Sequence, residues 1–214
     1  MNAKLHYIFD PLCGWCYAAS PLLAALSEHF GDKLELVFHP GLLFSEPHTI
    51  APSYREHIIN ADSRISALAG VEFGAAYIQR VRTAPVLRYH YVAPAAAVMA
   101  VNALQPELGL PMLEAIQQSH YLRGEDVSDR IILTKLAQTL GLDSAIFTDA
   151  LNNIEQSLPS IAIEARNLMQ AMGGNGFPTL VLEREGEYQK LDHNKAYGKS
   201  YVLTSNIAQL IGAQ

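Results

Sequence analysis

The only two cysteines of this 214-residue chain, Cys13 and Cys16, stand three residues apart. Two cysteines placed at random in a chain of this length would show that separation about once in a hundred cases. Their surroundings narrow the reading further. Residues 5–9, Leu-His-Tyr-Ile-Phe, form a short strand-favouring run, and Asp10-Pro11 ends it because proline cannot donate to a ladder. After the pair, Ala19, Leu22, Leu23, Leu26 and Phe30 recur at the spacing of one helical face, closed by Gly31. A strand therefore ends just before Cys13, and a helix begins at or just after it.

That junction sets a chemistry. The first helical turn offers unpaired N–H groups and the positive end of the helix dipole, both of which favour a thiolate. Cys13 is thus expected to be the attacking sulfur. Cys16 lies one turn deeper on the same face, within disulfide reach and better shielded, and is expected to resolve. Gly14 leaves the approach to Cys13 uncrowded, and Trp15 is expected on the substrate-facing surface. A structural zinc site needs about four ligands; the eight histidines supply no second C-x-x-C or paired-histidine motif, so no metal is expected. Inert buried thiols are the plain alternative.

Composition excludes other classes. Half the residues are hydrophobic and 17% are charged, enough for a sizeable core and unlike a disordered chain. Fifteen Lys+Arg against twenty-one Asp+Glu leave a net charge of -6, which argues against a nucleic-acid partner. The most apolar stretch, 92–101, contains Pro94 and is far short of the ~20 residues that span a bilayer, so no membrane association is expected. The first strand begins almost at once, with no room for a secretion signal, and a cytoplasmic location is expected. Monomer and homodimer are both compatible with this composition.

Residues 34–38 read as a second strand stopped by Pro40-Gly41, giving a β-α-β start with parallel strands. Helical spacing then dominates at 54–68, 75–81, 95–104, 112–122, 129–140 and 145–153, with no strand expected among them. Ser128 and Asp143 are expected N-caps, and Gly109, Gly124 and Gly141 expected stops. A separate helix is expected over 159–172, followed by a glycine-rich loop at 173–176 that leads through Phe177-Pro178 into a hairpin. That hairpin comprises 179–183 and 188–191 around Glu185-Gly186, and a last helix covers 195–211. The glycine cluster precedes a strand and lacks a following Lys-Ser/Thr, so it is not read as a phosphate loop. Residues 1–44 and 159–214 thus form one expected domain, with 45–158 inserted as an all-helical subdomain.

Strand, Cys-Gly-Trp-Cys at a helix start, strand, Phe-Pro-Thr into a hairpin and a final helix resembles the thioredoxin fold. Pro21, five residues after Cys16, matches the kink proline of the thioredoxin active-site helix. The helical insertion, with Ala-Ile-Gln-Gln-Ser-His-Tyr at 115–121 and Arg-Gly-Glu-Asp at 123–126, makes the chain similar to the DsbA-like branch over nearly its full length, especially FrnE-like and predicted disulfide-isomerase members. The resemblance implies an α/β thioredoxin fold with a large all-helical insertion. It implies a thiol-disulfide oxidoreductase or protein disulfide isomerase, with Cys13 attacking, Cys16 resolving and Pro178 as a cis-proline. Phe177 then borders the substrate groove and offers its main chain to a disulfide-containing protein or peptide, or to glutathione. Glutathione is the one small molecule implied, as reductant or co-substrate, and no resident cofactor is expected.

The sequence also departs from the family pattern. Gly-Trp replaces the Pro-His dipeptide of the strongly oxidising periplasmic member, so no imidazole there supports a thiolate. In a reducing cytoplasm, reduction or isomerisation is the useful direction. The buried acid that thioredoxins place six residues before the first cysteine is Tyr7 here. Proton transfer to Cys16 must use another group or water, and His39 is a candidate by position alone. Two rival readings stand beside this one. The first is a glutathione-dependent transferase or isomerase similar to kappa-class transferases and hydroxychromene-carboxylate isomerases, which usually present serine where Cys13 stands. The second is a non-catalytic module that binds peptides around Trp15 and Phe177.

Overall fold

In the computed structural model, which describes residues 3–212, the chain opens with β1 (Ala3–Phe9), α1 (Gly14–Phe30) and β2 (Leu34–Pro40). β1 and β2 pair in parallel, with Tyr7 opposite Phe38 and Phe9 opposite Pro40, as a crossover helix requires. Strand alternation divides β1 between two cores. Leu5, Tyr7 and Phe9 share the main core with Leu22, Leu23 and Leu26 of α1, while Ile8 joins a smaller cluster behind the sheet.

The inserted region contains β3 (His48–Thr49), α2 (Arg55–Ala69), α3 (Ala75–Thr83), β4 (Arg88–Tyr89), α4 (Val92–Leu104), α5 (Gly109–Tyr121) and α6 (Arg130–Thr139), and it continues into α7 (Ser144–Ala171). The two short strands correct the expectation of helices alone. They pair antiparallel, His48 opposite Tyr89 and Thr49 opposite Arg88, and Ile50 N–H donates to Leu87 O at 2.8 Å beside them. Two residues per strand are too few to leave an alternating pattern in the sequence.

The expected break at Pro159 does not occur. α7 carries Pro159 in its interior because Leu151, Leu158, Ala162, Ala165 and Met169 continue one buried stripe past it. Packing of that face outweighs the loss of one helical hydrogen bond. The division expected at 158–159 therefore falls inside a continuous helix. Gly109 opens α5 instead of stopping α4, since the chain turns already at Gln105-Pro106. Its bare Cα faces Asn102 and Phe38. Asp129, not Ser128, caps α6 by accepting from Ile131 N–H at 2.8 Å, whereas Ser128 bonds Asp126. Asp143 caps α7 as expected.

The chain closes with β5 (Thr179–Arg184), β6 (Glu187–Lys190) and α8 (Ser200–Ile211). The sheet order is β2-β1-β5-β6, with β5 antiparallel to β1, so β1 is central. Glu185 and Gly186 both take positive φ in the hairpin turn. The last helix starts five residues later than expected. Residues 194–196 form a separate 3-10 turn, and Gly198 (φ 69) passes against Leu68 O of α2. Among the described residues, no helix is long and apolar enough to cross a membrane.

Candidate active site

Cys13 is the N-cap of α1 and makes no side-chain cap bond there. Its N–H donates to Asp10 O at 3.2 Å and its carbonyl accepts from Tyr17 N–H at 3.0 Å, so the turn after β1 and the helix start are one hydrogen-bonded unit. Its Sγ donates to Phe177 O at 3.6 Å, and the Phe177–Pro178 peptide bond is cis. Residues 164 positions apart are thus brought together by the pairing of β1 with β5. Cys13 and Cys16 are both free thiols.

Trp15 is 38% exposed. Its carbonyl accepts from Tyr197 O–H at 3.3 Å and its ring lies 5.2 Å from the Tyr197 ring. Trp15, Phe177 and Pro178 line a cleft of about 500 Å³ together with the loop at 174–176, His193 and Tyr197. The sequence-expected substrate-side residues therefore border a single cavity beside Cys13.

Cys16 is fully buried. Burial pushes its thiol well above the ordinary value, and the adjacent Cys13 sulfur adds to the rise. Tyr7, also fully buried, donates its hydroxyl to Cys16 O at 3.3 Å. Desolvation and the neighbouring sulfurs hold that phenol well above its usual range, and it stays neutral.

Sequence reasoning missed Asp10. Its side chain is fully buried, with Oδ1 accepting from Leu12 N–H at 2.7 Å and Oδ2 from Leu43 N–H at 2.8 Å. Desolvation raises its carboxyl to about 7, although those two donors and the Arg166 charge pull the other way. Arg166 of α7 donates through Nε to Gly41 O at 2.7 Å and also donates to Leu42 O. Its guanidinium lies 5.6 Å from the Phe177 ring centre. Asp10 and Arg166 therefore both hold the loop at 41–43, whose Gly41 lies against the Phe177 ring. An Asp-Pro pair after a strand reads as a simple turn, and only the folded loop at 41–43 encloses the carboxyl.

His39 is engaged elsewhere. Its Nε2 lies 2.8 Å from His6 Nδ1, and His6 Nε2 lies 2.8 Å from Glu183 Oε2, so the three form a chain across adjacent strands. Burial lowers the imidazole of His39 to about 4, with His6 contributing, and it is neutral near pH 7. Among the described residues, no group of three or more His, Cys, Asp or Glu is arranged to hold a metal ion.

A cysteine pair at a helix N-terminus, facing a cis-proline across a thioredoxin-type sheet with helices inserted, defines a thiol-disulfide oxidoreductase of DsbA-like architecture. The chain belongs to the family of the DSBA-like thioredoxin domain, whose model matches residues 4–196. Among solved structures it is similar to a cytosolic disulfide reductase, DsbM, from Pseudomonas aeruginosa, with a TM-score of 0.88 and 35% identity over 99% of this chain and 100% of that one. The structure of DsbM with GSH is similar too, at TM-score 0.86 and 34% identity over 98% and 99% of the two chains. A 2-hydroxychromene-2-carboxylate isomerase shares the fold, at TM-score 0.59 and 14% identity over 97% and 95%. A comparison with curated proteins gives no match.

Proposed function

We propose that this oxidoreductase is a cytoplasmic disulfide reductase that uses glutathione, with Cys13 attacking and Cys16 resolving. The observation that carries the reading is the pairing of a Cys13 sulfur 3.6 Å from Phe177 O, beside cis-Pro178, with a fully buried Cys16 one helical turn behind it. A substrate disulfide laid along Phe177 and Pro178 meets Cys13 first. The Cys13 thiolate attacks one substrate sulfur, the other leaves as a thiolate, and a mixed disulfide forms. Cys16 then gives up its proton and attacks the Cys13 sulfur, which releases the second substrate thiolate and leaves a Cys13–Cys16 bridge. Two electrons have passed to the substrate. Two glutathione molecules return the bridge to the dithiol and leave as oxidised glutathione.

Asp10 is the proton acceptor in the resolving step. Its main-chain N–H favours a charged Cys16 sulfur while its carboxylate charge opposes one, so both groups lie within electrostatic reach of that thiol. A carboxyl near 7 suits proton transfer at neutral pH. The similarity to a cytosolic disulfide reductase and to its structure with GSH supports both the direction and the reductant. An enzyme that only holds glutathione at one sulfur has no use for Cys16, which disfavours the transferase and isomerase reading. The cleft beside Trp15 and Phe177 has room for a peptide or for glutathione. In the test, Cys16→Ser incubated with oxidised glutathione accumulates a mixed disulfide at Cys13, detected by mass, and Cys13→Ser accumulates none. Equal trapping by the two variants overturns the assignment.

A further inference from the structure

The insertion brings a buried carboxylate against the start of the helix that carries the cysteine pair. A methyl group added at Gly14 would stand 3.0 Å from Asp62 Oδ1 and 3.0 Å from Ile65 Cδ1. The carboxyl of α2 therefore lies against the first residue of α1, next in sequence to Cys13. Asp62 is only 7% exposed. Its Oδ2 accepts from Tyr77 O–H of α3 at 2.8 Å, and among the described residues no Lys or Arg forms an ion pair with it.

The groups around it leave its charge uncompensated. Tyr89 of β4 and Tyr121 of α5 both feel the Asp62 charge, and Tyr121 also feels Cys13. All three phenols are raised and neutral. The nearby cations face away: Arg55 donates to Arg82 O and Ala84 O, and Arg80 donates to Glu125 O and pairs with Asp126. The first turn of α1 carries no acidic residue of its own. Its positive end thus has two claimants, the Cys13 sulfur and the Asp62 carboxylate, and an anion at one weakens what the helix end gives the other.

We propose that Asp62, held by Tyr77 against Gly14, acts through Cys13 to bias the cysteine pair toward the disulfide, making the protein a stronger electron donor than its helix end alone would. The proposal rests on Cys13 being the attacking thiol. In the dithiol state any negative charge on the Cys13 sulfur is opposed by the carboxylate; in the disulfide state there is no such charge to oppose. Desolvation raises the Asp62 carboxyl to about 6, against the Tyr77 hydrogen bond, so it is ionised at pH 7.5 and largely protonated at pH 5.

The experiment equilibrates the full chain with graded ratios of reduced and oxidised glutathione and counts alkylated thiols by mass, at pH 7.5 and pH 5. Asp62→Asn keeps the size of the side chain and a group able to meet Tyr77. It is expected to shift the equilibrium about tenfold toward the dithiol at pH 7.5, or about 30 mV for this two-electron couple, and to match the wild type at pH 5. Tyr77→Phe removes the bond that favours the ionised carboxyl, so its difference from the wild type should be confined to the interval around pH 6. An unmoved equilibrium in folded Asp62→Asn overturns the proposal, and so does a shift of equal size at both pH values, which would mark a packing effect. A wild type with no reversible dithiol–disulfide transition would instead overturn the reductase reading beneath it.

Discussion

The ring of Phe177 lies directly over the bare Cα of Gly41: a Cβ at that position would stand 2.3 Å from Phe177 Cε1. The residue before the cis-proline is thus seated on a glycine in the loop that Asp10 and Arg166 hold. Gly41→Ala forces the ring away, and with it the carbonyl that meets Cys13. We expect a loss of about 1–3 kcal/mol in stability from overpacking and a fall of roughly tenfold in kcat/KM for disulfide reduction. Denaturant unfolding and a turnover assay measure the two. A variant with wild-type turnover would show that the seat does not position the groove.

Asp10 links the site to pH. Its folded-state value of about 7 lies above the ordinary carboxyl value of 3.8, so the folded protein binds the extra proton and stability falls as pH rises from about 4 to about 7. Buried His39 and His120, lowered to about 4 and about 3, act in the opposite sense and favour the folded state as pH rises toward 6.5. Asp10→Asn removes the first contribution and leaves the second. Measured by denaturant unfolding, the variant should gain on the order of 2 kcal/mol relative to the wild type between pH 5 and 7.5. In single turnover it should also resolve its mixed disulfide roughly a hundredfold more slowly. Unchanged resolution would remove Asp10 from the proton path.

Proline at the first position of a helix is ordinarily favourable, because its missing N–H has no helical partner there. Gly14 holds that position in α1, yet Asp62 and Ile65 occupy the space a side chain needs. Gly14→Pro is therefore expected to destabilise the protein by about 1–3 kcal/mol, read from its thermal or denaturant midpoint. A stabilised variant would show that α2 yields easily and that the contact is loose.

Much of this was readable from local pattern. The strand before Cys13, the helix after it and the hairpin after Pro178 each carry their own periodicity and turn residues, and those elements bring Trp15, Phe177 and Pro178 to one cleft and Cys13 to the Phe177 carbonyl. Asp10 and Asp62 were not readable, because what sets these carboxyls apart is their enclosure, and the enclosing groups come from distant segments: Leu43 and Arg166 for one, Tyr77 and Gly14 for the other. Pro159 misled for a related reason. Its local preference is to break a helix, and only the stripe from Leu151 to Met169, packed on both the insertion and the sheet, overrides it.

That unbroken α7 has a mechanical consequence. Its 28 residues extend about 40 Å, from beside α6 to the loop that leads into Phe177. The helical insertion and the loop before cis-Pro178 are therefore coupled through one continuous helix, with no loop between them at 158–159.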